Sequence, residues 1–126
     1  MKFGEILKDR GLRFYKNGVE LFNREEYDLA AFNLEQATQL LLKYAILNFL
    51  GDFDKTHEIS KLLNDYLSLI EDKEKLVNLI KKYERTIVDL EEAYIRSRYI
   101  PSKFFKDQVH DMIKFVEELI EIIGNK

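Results

Sequence analysis

Apolar residues recur with helical spacing along almost the whole chain, and no stretch alternates with the two-residue period of a half-buried strand. The pattern predicts an all-α fold. In a first helix over about residues 3–22, Leu7, Gly11, Phe14, Gly18 and Leu21 step by four and three and so share one face. Glycine inside a helix costs about 1 kcal/mol relative to alanine. Either a second helix backbone comes close along that seam, or Gly11 breaks the helix. Asn23 followed by Glu26 resembles a capping box opening a helix over about residues 24–50, with Gly51 placed to end it. Tyr27, Ala31, Leu34, Ala37, Leu41 and Ala45 form one stripe of this helix, while Leu40, Leu42, Tyr44 and Leu47 spread round the cylinder. A helix apolar on several faces belongs in the middle of a bundle.

Asp52 to Lys55 is a polar loop, and Thr56 is placed to cap a short helix beginning at His57 and carrying Ile59, Leu62, Leu63 and Leu67. After a charged turn, EDKEK, a fourth helix carries Leu76, Ile80, Tyr83, Ile87, Leu90 and Tyr94. A fifth carries Phe105, Val109, Met112, Val116, Leu119 and Ile123. Pro101 separates them, because it disfavours helix at Ile100 yet fits the first turn of the helix that follows. The predicted architecture is an antiparallel up-and-down bundle of four long helices plus one short helix, forming a single domain over residues 1–126.

Composition narrows the function classes. The chain has no cysteine, which removes disulfides, thiolate nucleophiles and cysteine-based metal sites. Charges run through the first residues where a secretory signal would be uniformly apolar, so the cytoplasm is the expected compartment. The longest apolar run, Leu40 to Leu50, is interrupted by Lys43 and Asn48 and is far shorter than a bilayer span, so no membrane association is expected. A net charge of −3 argues against general coating of nucleic acid and leaves room for a local basic site.

Such a site is visible between the last two helices. From Ile95 to Lys106 the chain carries Arg96, Arg98, Lys103 and Lys106 with no acidic residue, which leaves the remainder at −7. Cations at a helix junction, interleaved with Tyr94, Tyr99, Phe104 and Phe105, can hold phosphate and stack a base, and the N-terminus of the following helix adds a positive dipole end. In the competing reading the aromatic residues are core and the cations pair with the acidic remainder. His57, at the start of the short helix, would be kept neutral by the dipole and could accept a proton, although a lone histidine more often completes a local hydrogen-bond network. His110 has only the second use. The pairs Asp54/His57 and Asp107/His110 echo the acid-x-x-His spacing of di-metal bundles but lack the inward-facing glutamates that complete such sites, so no metal or other cofactor is expected.

Three segments in order, YDLAAFNLEQATQLLLKYAI, THEISKLL and AYIRSRYIP, resemble the HEPN domain, the higher eukaryotes and prokaryotes nucleotide-binding family of helical domains. The matching residues are Ala31, Phe32, Gln36, Ala37 and Lys43, then Thr56, His57 and Leu62, then Tyr94, Arg98, Tyr99 and Pro101. The resemblance implies a helical bundle that forms a homodimer and is often encoded beside a minimal nucleotidyltransferase as a two-component, toxin-antitoxin-like pair. Three departures stand out. Gln39 and Leu40 replace the common Glu-Lys, Ile100 stretches the usual Arg-Tyr-Pro, and the ribonuclease pairing of Arg, four to six residues, then His is absent after every arginine.

The sequence therefore points to a HEPN-like nucleotide- or RNA-phosphate-binding protein, a non-catalytic partner of a nucleotidyltransferase. Arg96 and Arg98 would grip phosphate, Lys103 would add charge, Tyr99 or Tyr94 would pack on a base or ribose, and Lys43 would contribute from the second helix. The alternative is a metal-independent ribonuclease with a non-standard Arg/His site, using His57 near a phosphate held by Arg98. A helical assembly module without any ligand is the third possibility.

Overall fold

The computed structural model describes residues 2–99 and 103–124, with the side chains of all of these except residues 96–99. Among the described residues the regular elements are helices in chain order, α1 (Phe3–Asn23), α2 (Tyr27–Leu50), α3 (Ile59–Leu69), α4 (Glu74–Lys82), α5 (Glu84–Tyr99) and α6 (Lys106–Gly124). The all-α expectation holds, with six helices in place of four long and one short.

The glycine seam of α1 lies against α2. A Cβ at Gly18 would fall 2.8 Å from Leu34 Cγ, and one at Gly11 would fall 3.0 Å from Leu41 Cγ. The two glycines thus receive two buried leucines one heptad apart, and α1 continues unbroken past Gly11, which settles the open choice in favour of close approach. Gly4, one heptad earlier, would place a Cβ at an ordinary 3.4 Å from Leu47 Cδ2.

The capping box does not form: α2 begins after Glu26, with no side-chain cap. The turn is instead closed by backbone, with Glu26 N–H donating to Leu21 C=O and Glu25 N–H to Phe22 C=O. This is the pairing of a Schellman motif, and it places Glu25 at the left-handed position with φ 64°. The central role expected of α2 is seen in its packing against α1, α3, α5 and α6. Ala31, Leu34, Ala37, Leu41 and Ala45 of the expected stripe are buried together with Ala30, Leu42 and Ile46. Gly51 ends the helix with φ 75°, its N–H donating to Leu47 C=O.

The short helix starts at Ile59, two residues later than its sequence suggested. Thr56 Oγ1 accepts from Glu58 N–H ahead of that helix. One orphan donor of the first turn, the Ser60 N–H, finds a partner from another element in the Glu91 carboxylate of α5, which also accepts from the Ser60 hydroxyl.

The predicted fourth helix is divided at Tyr83, where φ −116° and ψ 30° depart from the helical range. No proline or glycine lies there. The cause is tertiary: Tyr83 packs edge-on against Phe115 at 5.6 Å and its hydroxyl donates to Glu118, which also takes an ion pair from Lys82 at 3.2 Å. The Tyr83 hydroxyl, followed by the Lys82 ammonium, holds the Glu118 carboxyl below the usual range. The stripe of α6 is as expected at Val109, Met112, Val116, Leu119 and Ile123, all buried. Its first member is not: Phe105 is 76% exposed and Phe104 is the buried ring, at 4%. Phe105 precedes α6, and its N–H donates to Gln108 Oε1 in a side-chain cap that turns the ring away from the core.

Candidate nucleotide site

On α2, Glu35, Gln39 and Lys43 follow one another at four-residue spacing, a polar row on a helix otherwise buried among apolar side chains. Glu35 is fully buried. A carboxylate in that position needs strong donors, and it accepts from Gln36 Nε2 at 2.7 Å and from Gln39 Nε2. Gln39 Oε1 in turn accepts from Lys43 Nζ at 3.4 Å. The row hands polarity outward from a buried carboxylate to a half-buried ammonium. Burial pulls the Lys43 ammonium below the usual lysine range, while the Glu35 and Asp54 carboxylates act in the opposite sense.

The segment after α2 runs past this row. Phe53 lies under Lys43, with Nζ 5.8 Å from the ring centroid, and the ring also stacks on Phe3 at 6.0 Å and packs against the core. Asp54 accepts from Thr56 N–H at 3.0 Å and pairs with Lys61 at 2.9 Å, and these two donors, Lys61 first, hold its carboxyl below the usual range. Three residues on, the exposed His57 imidazole stacks on the half-buried Tyr94 ring of α5, with centroids 4.3 Å apart and planes within 9°. One stretch, residues 53–57, thus joins the Lys43 row to the C-terminal part of α5.

The placements expected from sequence divide accordingly. Tyr94 and His57 are brought together, so one face of the Tyr94 ring is covered by the imidazole. Lys43 is held at the other end of the segment. Lys103 is exposed just before α6. Helix α5 extends through Arg96, Arg98 and Tyr99, but their side chains lie outside those described, as do Ile100, Pro101 and Ser102 entirely. His57 stands ahead of α3, which begins at Ile59, rather than opening it as expected. His110 is exposed with its ring 6.1 Å from Phe22. Among the described residues no group of three or more His, Cys, Asp or Glu could hold a metal ion. Asp54 is instead engaged with Lys61 and His57 with Tyr94.

Three participants escaped the sequence reading. Glu35 and Gln39 carried a signal, two polar residues a turn apart where α2 should be buried. Glu91 carried none, since only the fold brings it to Ser60.

Chemically, the arrangement offers a flat aromatic surface beside a cation-rich helix end, with a tethered ammonium at its far side. No helix among the described residues is long and apolar enough to cross a membrane. The model of the HEPN domain family matches residues 5–126 of the chain. Comparisons with curated proteins and with solved structures find no match.

Proposed function

Because the chain belongs to the HEPN domain family, a family of nucleotide- or RNA-related helical domains, we propose that it binds the phosphate of a nucleotide or RNA at the α5–α6 junction. In this proposal the protein is the homodimeric, non-catalytic partner of a minimal nucleotidyltransferase in a two-component, toxin-antitoxin-like system, and residues 1–126 act as one domain. Arg96 and Arg98 grip phosphate, Lys103 adds charge, and Tyr99 or the His57–Tyr94 pair receives the base. The observation that carries the proposal is the His57–Tyr94 stack. It fixes an aromatic surface on α5 four positions before Arg98, in a run of cations without an acid.

Titration calorimetry with mononucleotides and short RNA tests it. Replacing Arg96 and Arg98 together by alanine is expected to weaken binding at least tenfold, since a charge-assisted contact contributes about 1.5–3 kcal/mol. Equal binding by wild type and variant removes the junction as the site. Co-purification with a nucleotidyltransferase encoded next to this gene tests the partnership separately.

The same stack favours a second proposal, a metal-independent ribonuclease, because it brings an imidazole onto the α5 residue one turn before Arg98. His57 would then move the proton while Arg98 holds the scissile phosphate. RNA cleavage in the presence of a chelator, lost on His57→Asn, would establish it. Intact RNA after prolonged incubation with wild type would exclude it.

A further inference from the structure

Away from the α5–α6 junction, the outer flank of α1 holds a second concentration of positive charge that the proposed site does not use. Between positions 10 and 17 the chain carries Arg10, Arg13 and Lys16 with no acid. These side chains, with Phe14, Asn17 and Glu20, line a concave surface of about 670 Å³. Arg13 is paired with Asp9 at 3.0 Å, on the exposed surface where such a pair yields readily to another anion. The opposite face of the helix carries Gly11 and Gly18 and is committed to α2, so the cationic flank has no packing duty in that seam.

The cations recur every three residues, a rise of about 4.5 Å each, and form a ladder about 9 Å long. A half-buried phenyl ring and a carboxamide stand beside that ladder, at Phe14 and Asn17. Guanidinium and ammonium groups in a row suit successive phosphates, while an aromatic face and an amide suit the bases attached to them. Phe14 packs against the core on its inner side and offers the groove only its uncovered edge, so what favours a strand of nucleotides over an acidic polypeptide is the exposed Asn17 amide, which can pair with a base edge, set beside the row of cations. The direction of the ladder is also informative. Phe22, near the end of α1, meets His110 in the first turns of α6, so the groove leads away from the end of the molecule that holds the junction.

We infer that this α1 groove binds single-stranded RNA, as a backbone track for a strand whose other part occupies the α5–α6 junction. The inference rests on the proposed function for the junction and names a longer polyanion, rather than a free nucleotide, as the ligand.

The test compares a mononucleotide with an unstructured oligonucleotide of about 15 residues, over a range of salt concentrations. Replacing Arg10 and Lys16 together by glutamine is expected to weaken oligonucleotide binding about tenfold and to lower the slope of log K against log salt by about 1 to 1.5, with mononucleotide binding unchanged. Glu20→Gln, which removes the groove's own carboxylate, is expected to tighten oligonucleotide binding, a gain that a misfolded protein could not give. Unchanged oligonucleotide affinity and salt slope in the double variant would overturn the inference. So would loss of binding to polyglutamate without any effect on RNA. If Arg96→Ala/Arg98→Ala leaves mononucleotide binding intact while the α1 variants still weaken the oligonucleotide, the junction assignment fails and the groove stands.

Discussion

At the scale of single residues, Glu25 shows what a tight helix connection demands. Its φ of 64° lies in the left-handed region, where a side chain crowds the backbone and glycine is at ease. The surrounding bonds, Glu26 N–H to Leu21 C=O and Glu25 N–H to Phe22 C=O, hold it there. Glu25→Gly is therefore expected to stabilise the protein by about 0.5–1 kcal/mol, after allowance for the greater freedom of glycine in the unfolded chain. Thermal unfolding followed by circular dichroism would show a higher midpoint, and a lower one would mean that the Glu25 side chain contributes something the turn geometry does not reveal. Nothing in the sequence distinguished this residue. Arg24 and Glu25 read as two unremarkable polar positions, and Asn23 with Glu26 at capping-box spacing pointed to a different closure.

At the scale of elements, the glycine seam gives a contrast between positions that look alike. Alanine is a better helix former than glycine by about 1 kcal/mol. Gly4→Ala, with ordinary contact distances, is expected to gain part of that. Gly18→Ala drives a methyl to 2.8 Å from the buried Leu34 and is expected to lose about 1–2 kcal/mol despite the better propensity. Denaturant melts of the two variants should move in opposite directions, and parallel shifts would show that α1 and α2 can slide apart without cost. A second contact between elements, Tyr15 of α1 donating to Glu117 of α6 at 2.7 Å, makes a prediction in pH. Burial, then the bond to Glu117, pushes the Tyr15 hydroxyl up to about 12 from the ordinary 10. The folded protein thus retains a proton that the unfolded chain gives up. The stability this contributes is complete below about pH 10 and is lost as pH rises through about 12. Wild type should lose melting temperature over that interval more steeply than Tyr15→Phe, and identical slopes would rule out the tether as a source of alkaline sensitivity.

At the scale of the whole molecule, the proposed homodimer needs a face, and the exposed apolar residues beside the junction offer one. Ile95 is 49% exposed and Phe105 is 76% exposed, on either side of the α5–α6 connection. If the two copies meet there, Ile95→Ser/Phe105→Ser should shift the mass in light scattering from two copies to one without lowering helix content. An unchanged mass would move the interface elsewhere. The competing reading, that the junction's aromatic residues are merely core, holds for Phe104 and fails for Phe105.

The sequence alone determined that this chain is helical, where most of its buried stripes lie, and that cations gather without acids before α6, whereas the glycine seam of α1 stayed open between a close approach and a helix break until the packing on α2 decided it. These are consequences of period and composition, which depend on neighbours three or four positions away. Tertiary structure alone decided the break at Tyr83, the later start of α3, the choice of Phe104 over Phe105 for the core, and the meeting of His57 with Tyr94. Most of these outcomes turn on a partner that is distant in sequence, such as Glu118 for Tyr83, Glu91 for Ser60 and Tyr94 for His57. Local periodicity holds no record of such partners, because their free energy appears only when separate helices are packed side by side.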